Sequence, residues 1–465
     1  MVFKPQKSKK RICAITLAAI ILISAATASA QSPAATVTLK EAAEHLKTGD
    51  LAKAEHSLER LLKKRPNLAE AVSLLGVVRV QQQRFQEAEA MFQRALKINP
   101  RLAGAYVNLS FLYKQNNQQQ RALAILEQAA KLLPLDADVL HALALLRADR
   151  GEFALAAKTL MAIPAKDRPG DYWELLSRFY ITAGDFTKAE ASLREQLAQK
   201  PDSISTLRQM AGVELKLNNS QRAWEYMAQA LRLAPNSPEL LFEFAQLSLQ
   251  VNLAMEAVIA ARKALMLEPD RPEYLLFLGN ALLSTADFHA ALPVLQRYVE
   301  LKPQDAAGRL SLGWLLYLEK DFDNARRQLE ESLRLNPEQT DAYYHLGIIA
   351  YETGDTARAL ELLSRVVERK SDDARAHLGL GMVYIREHQY EKARQALETS
   401  AQLNPEEPKV HYQLAQVYAR SGDEARAQSE RELYEAAQKK VEEKNRMSLR
   451  LPFSASQSAP KQRLQ

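Results

Sequence analysis

The chain has 465 residues, 47% hydrophobic and 25% charged, which is ordinary for a folded protein and leaves room for a large core. Its formal net charge is +6, yet Lys4, Lys7, Lys9, Lys10 and Arg11 all fall in the first eleven residues, and residues 1–30 hold no acid. Cys13 is the single cysteine, which excludes an internal disulfide framework and Cys-ligated zinc.

The first segment, 1–30, reads as a secretory signal peptide. A basic start leads into the apolar run ICAITLAAIILIS and then ASA, with Ala28 and Ala30 as the small residues before a cut. The apolar run is nearer a signal core than the roughly 20 residues a spanning helix needs. Cleavage near Ala30/Gln31 removes Cys13 and five bases and leaves a mature chain near +1, with no electrostatic footprint for nucleic acid. The predicted location is the periplasm or the outside of the cell. The alternative is an uncleaved N-terminus that tethers the chain to the inner membrane. Residues 31–34 read as a short linker.

From there the sequence is periodic. Prolines stand at 66, 100 and 134, resume at 201, 235, 269, 303 and 337, miss Ser371, and return at 405, on a spacing of 34. One alanine recurs in every copy: Ala54, Ala88, Ala122, Ala156, Ala189, Ala223, Ala257, Ala291, Ala325, Ala359, Ala393 and Ala427. Each copy reads as two helices. In the one starting at Thr340, residues Tyr343, Leu346, Gly347 and Ala350 form the stripe of a first helix. Gly354-Asp355 breaks it, and Ala359, Leu363 and Val366 form the stripe of a second. Proline suits the exit turn because it cannot continue a helix but tolerates a first turn. Where it is missing, Ser371 reads as the N-cap, with acids in the first turn.

The small residues predict close packing. Gly347 and Ala359 are expected to face one another, letting the two helix axes approach. Gly76, Gly279, Gly313 and Gly381 share the Gly347 position, and Ser110, Ala144, Ser177, Ala211 and Ala245 replace it.

This pattern of a large residue, Leu-Gly, an aromatic, Gly-Asp, Ala and Pro resembles the tetratricopeptide repeat, a helix–turn–helix unit. The resemblance implies an all-α solenoid superhelix of about twelve 34-residue units over residues 35–441. Its repeats start near 35, 69, 103, 137, 170, 204, 238, 272, 306, 340, 374 and 408. Units that bury apolar faces only against neighbours form one elongated stack rather than separate cores. Departures are visible. Arg79, Arg147 and Glu214 occupy the aromatic position, and the copy from Ala137 is one residue short, with Pro164 expected to stop its second helix early and a possible hinge over 161–170. The polar run SERELYEAAQKKVEEKNR suits a capping helix, and 442–465 reads as its end and a disordered Ser/Gln/Pro-rich tail.

No constellation for catalysis emerges: there is no phosphate-cradling glycine loop, no Gly-x-Ser-x-Gly elbow and no His-Glu-x-x-His pair, so neither an enzyme nor a cofactor nor a metal is predicted. His377 and His411 share a position that Tyr106, Trp173 and Tyr343 fill elsewhere, which marks them as packing residues. On the first helices, repeat positions 2, 5, 9 and 12–13 make a second stripe, which in the resembled family is similar to the lining of a concave groove. The candidate partner-binding residues on it are Phe111, Arg178, Arg208, Gln246, Asn280, Trp314, Tyr344 and Tyr412. Tyr317 and Tyr351 extend the aromatic set; aromatics and arginine are common interface anchors. The resemblance implies a non-catalytic scaffold of the bacterial cell envelope that holds a peptide or protein partner, in envelope assembly, secretion or exopolysaccharide export. A glycan-binding or enzymatic role is the remaining alternative.

Overall fold

The computed structural model describes residues 33–448, so the signal segment, Cys13 and the tail from 449 lie outside the described residues. Among the described residues there are twenty-four α-helices, one short 3-10 turn and no strand. The chain divides into two compact units, at Asn219 and Ser220. First helices typically run thirteen residues, such as Ala69–Gln81 and Thr340–Glu352, and second helices fourteen, such as Phe85–Ile98 and Thr356–Arg369. The first helix of all begins at Pro33, inside the segment read as a linker. All twelve periodic alanines are fully buried.

A left-handed residue separates the two helices of every copy. Positive φ occurs at Gly49, Gln83, Asn117, Gly151, Gly184, Asn218, Asn252, Ala286, Lys320, Gly354, His388 and Gly422, twelve turns in all. Only five of them are glycine, so at the others a side chain tolerates a conformation costing roughly 1–2 kcal/mol. The next residue then starts the second helix, and where it is aspartate its carboxylate accepts from the backbone N–H three residues on. Asp50, Asp185, Asp287, Asp321 and Asp355 all cap in this way.

The turn between copies is fastened through its carbonyl. Tyr106 donates its hydroxyl to Pro100 O at 3.1 Å, Arg309 donates Nε–H to Pro303 O at 2.9 Å, and a ring nitrogen of His411 bonds Pro405 O at 2.9 Å. His377 bonds Ser371 O at 2.9 Å in the copy that lacks the proline. These residues all stand at position 4, which explains the histidines as anchors of a turn. Ser371 is not the N-cap. That role falls to the buried Asp373, which accepts from the backbone N–H of Arg375 and Ala376, because the helix begins only at Ala374.

The partner of the small residue also differs from expectation. A Cβ built on Gly347 would stand 2.8 Å from Leu363 Cγ, so the glycine makes room for the leucine sixteen residues on rather than for Ala359. The same register pairs Gly76 with Phe92, Gly279 with Leu295, Gly313 with Leu329 and Gly381 with Leu397. Each of those large side chains is wholly buried. Burial of one such group stabilises by about 1.5–3 kcal/mol.

The short copy ends its second helix at Met161 after nine residues, before Pro164, and a 3-10 turn follows at Ala165–Asp167. The residue before a proline disfavours the helical region, which sets this stop. Polar residues in the aromatic position are absorbed by hydrogen bonds. Arg79 reaches Glu55 and, at 2.7 Å, Gln82; Arg147 reaches Thr159 at 2.5 Å and Glu127 at 3.0 Å; Glu214 accepts from Asn219 at 2.8 Å. The final helix, Glu424–Ser448, buries Ala427 and Ala437 and leaves Leu433 and Val441 exposed.

Gly279→Ala puts a methyl 2.4 Å from Leu295 Cδ2 and is expected to destabilise by about 1–3 kcal/mol. Leu295→Ala should cost about 2–5 kcal/mol. The double variant reproduces the Ala245 and Ala261 arrangement one copy earlier and is expected to cost less than the sum by about 1 kcal/mol or more, read from urea midpoints. Strict additivity would refute the interlock. At the turn, Gly354 (φ 89°) has nothing within 4 Å of an added Cβ, so Gly354→Ala should cost about 1–2 kcal/mol through backbone conformation alone. Ala286→Gly, at φ 57°, is expected to raise the melting temperature.

Candidate partner-binding cleft

In the second unit, first helices of successive copies enclose a cleft of about 300 Å³. Tyr317, Tyr344, Ile348, Arg375, Leu378 and Met382 line it, together with the charged Glu352, Glu407 and Lys409. Counted within their repeats, Arg375 and Lys409 are at position 2, Tyr344 and Leu378 at 5, Ile348 and Met382 at 9, Tyr317 at 12 and Glu352 at 13. Eight of the thirteen lining residues therefore belong to the second helical stripe, repeated from copy to copy, while Ser400 and Asn404 close the cleft from the second helix Tyr390–Leu403 and its C-cap.

The aromatic part is preassembled. Trp314 stacks on His345 with ring centroids 5.7 Å apart, and Tyr344 meets the same imidazole edge-on at 5.2 Å. Arg375 lies over the Tyr344 ring at 4.8 Å. Its guanidinium is held by Asp341 at 2.8 Å and by Asp373 at 2.9 Å, which fixes a cation against an aromatic face before any partner arrives. Tyr351 is covered in the same manner by Arg386, 3.8 Å from its centroid, and this arginine also donates to the Tyr351 carbonyl.

Burial and these charges set the protonation states. Burial drives the His345 imidazole down to about 4, against an opposing pull from Asp341, so the ring is neutral near pH 7. Burial also raises the Tyr344 and Tyr317 hydroxyls. For Asp373 burial alone would raise the pKa, but hydrogen bonds and charge from Arg375, the Ala376 amide and Lys370 overcome it, and the carboxyl is lowered.

The eight sequence-derived residues do not form one site. Tyr344 lines the cleft and Trp314 buttresses it through His345. Tyr412 is exposed and packs on Tyr434 of the capping helix at 5.7 Å. Gln246 and Asn280 are exposed on other first helices of this unit and do not line the cleft. In the first unit, Phe111 lines a separate, largely apolar cleft of about 230 Å³ with Val80, Phe92, Val107, Leu126 and Leu145, beside Asn108 and Lys114. Arg178 is exposed against Phe179, and Arg208 is exposed. Arg375, Lys409, Ile348, Leu378 and Met382 were missed. Their signal was present, because they lie on the same stripe, but as aliphatic or charged residues they did not stand out. Among the described residues no three His, Cys, Asp or Glu side chains gather as a metal set.

Three models of the tetratricopeptide repeat match the chain: one over 316–382 and 384–440, one over 39–103, 242–306 and 276–338, one over 103–134 and 170–203. The chain belongs to the tetratricopeptide repeat family and is a protein–protein interaction scaffold. No protein of curated function matches it. Similar solved structures include Naa15/Naa10 bound to HypK-THB, at 18% identity and TM-score 0.42, over 86% of this chain and 68% of that one. Yeast Tom70 is similar at 18% identity and TM-score 0.40, over 81% and 96%. YrrB, a repeat protein with an unusual peptide-binding site, is similar at 23% identity and TM-score 0.34, over 40% and 95%. At TM-scores below 0.5 these carry no functional inference.

The half-buried imidazole gives the cleft a pH signature. A histidine lowered from about 6.5 to about 4 binds its proton in the unfolded chain first, so stability is full above pH 6.5 and is lost as pH falls toward 4. The contribution is at most about 3 kcal/mol. The fall in urea midpoint between about pH 7 and pH 4.5 should be smaller in His345→Phe than in the wild type. Equal slopes would show that the ring titrates freely.

Proposed function

We propose that this chain is an exported, non-catalytic scaffold of the bacterial cell envelope that holds an extended peptide or a protein segment in the Tyr344 cleft. The observation that carries the reading is the cleft's lining by a repeat-periodic stripe in which aromatic rings and a locked arginine are already in place. Such a surface loses little side-chain freedom on association, and its apolar members supply area while Glu352, Glu407 and Lys409 offer polar partners along the same path. Trp314 supports Tyr344 from behind, and Tyr412 and Tyr351 extend the aromatic surface. Gln246 and Asn280 stand on the same stripe of other copies, outside this cleft, and Phe111, Arg178 and Arg208 belong to the first unit and take no part in it.

Export is supported by the basic start, apolar run and Ala28–Ala30 ending of residues 1–30. The pathway served is envelope assembly, secretion or exopolysaccharide export, by analogy with exported members of the family.

Photo-crosslinking in living cells tests the assignment. A crosslinker at Met382 is expected to yield a discrete adduct that one at Arg365, on a second helix, does not. Trp314→Ala with Tyr344→Ala should weaken capture of that same adduct by about thirtyfold, the loss of one strong anchor worth about 2 kcal/mol. An adduct pattern that is the same at both positions would sink the cleft, and purified protein still starting at Met1 rather than Gln31 would sink cleavage.

A further inference from the structure

Away from the stripe on the first helices, the first unit contains an open cleft of about 530 Å³ formed where the short copy meets the copy before it. Its walls come from the second helices Gln119–Leu132 and Phe153–Met161, and Leu140, Leu143 and Arg147 of Ala137–Asp149 supply the rest. Two features set it apart. The first is Leu155, 42% exposed, at repeat position 19. In the other eleven copies that position holds nine charged residues, Asn324 and Ala290. A bulky apolar group facing water at a place otherwise charged, polar or small is a departure that folding does not require. Met161, 54% exposed, stands at the end of the same helix, where five further residues of helix follow in most copies.

The second feature is charge. Lys131, Arg147 and Lys158 line the cleft against a single carboxylate, Glu127, which is already bound to Arg147 at 3.0 Å. Arg147 also keeps a buried Nε with no hydrogen-bond partner. Lys131 and Lys158 are exposed and form no ion pair among the described residues. An apolar floor under surplus positive charge is complementary to carboxylates set beside bulky apolar side chains. The parts of this chain outside the described residues do not fit: 1–32 and 449–465 carry only bases, among them Lys4, Arg11, Arg450, Lys461 and Arg463. A concave opening of this size also favours a protruding segment over a flat bilayer.

We infer that the cleft between these two second helices is a docking site for an acidic amphipathic segment of a protein partner, with Leu155 and Leu140 receiving its apolar side chains and Lys131 and Lys158 its carboxylates. It is a second site, independent of the Tyr344 cleft, and either can fail without the other.

The test uses the purified chain and short fluorescent peptides that carry leucines at helical spacing separated by glutamate, by glutamine or by lysine. The glutamate peptide is expected to bind about tenfold or more tightly than its glutamine counterpart, with the advantage shrinking as salt rises. Lys131→Glu with Lys158→Glu, both at exposed positions, should invert the preference toward the lysine peptide. That gain cannot arise from misfolding. Leu155→Gln should weaken the glutamate peptide by a further several-fold. Equal binding of the glutamate and glutamine peptides overturns the inference, as does a preference that survives the double reversal. Co-sedimentation with phosphatidylglycerol vesicles in the absence of peptide binding assigns the cleft to a membrane and overturns it. Self-association of the chain abolished by the double reversal assigns it to a second copy and does the same.

Discussion

In five copies a large side chain on the second helix occupies the space left by a missing side chain on the first, and the pairing of those helices depends on that exchange. Leu295 over Gly279, Leu329 over Gly313 and Leu363 over Gly347 are instances in the second unit, and Phe92 over Gly76 is one in the first. The contact holds two helices at close range without a polar group or a metal, so their outer faces are free to vary. The fully buried alanine four residues before the large side chain belongs to the same seam, with no room for anything bigger. Between the helices, a left-handed residue and an aspartate cap turn the chain in the least space available.

With packing handled by a few positions, the remaining stripe of each first helix can carry chemistry. Its residues recur every 34 positions, so neighbouring copies set Tyr344 within one cleft with Arg375 and Leu378 of the next first helix. The locked Arg375, held between two aspartates and a ring, shows how such a surface can be rigid and charged together. The irregular copy does something different. Between its second helix and that of the copy before, Leu155 faces solvent beside Lys131 and Lys158.

Reading the sequence went furthest where one residue type has one use. The buried alanine, the turn proline and the Gly-Asp break each reflect a local steric rule, so the repeat, its two helices and the family were legible. It went wrong where a position has several possible neighbours. Ala359 was the plausible partner of Gly347, but helix rotation brings Leu363 there. Ser371 is a good capping residue, yet Asp373 caps because the helix starts two residues later. Gln83, Lys320 and His388 gave no hint of a left-handed turn, since they adopt it under the constraint of the helices on either side.

The sequence by itself determined the all-α repeat fold, because periodicity and side-chain size act over a few residues and need no knowledge of what lies opposite. Only the tertiary structure decided which stripe residues meet. It drew Tyr344, Arg375 and Met382 together, placed Phe111 in another cleft, and left Gln246 and Asn280 outside either. That choice depends on the rotation of each helix against its neighbours and on where a helix is cut short, which are properties of contacts between copies that no single 34-residue unit contains.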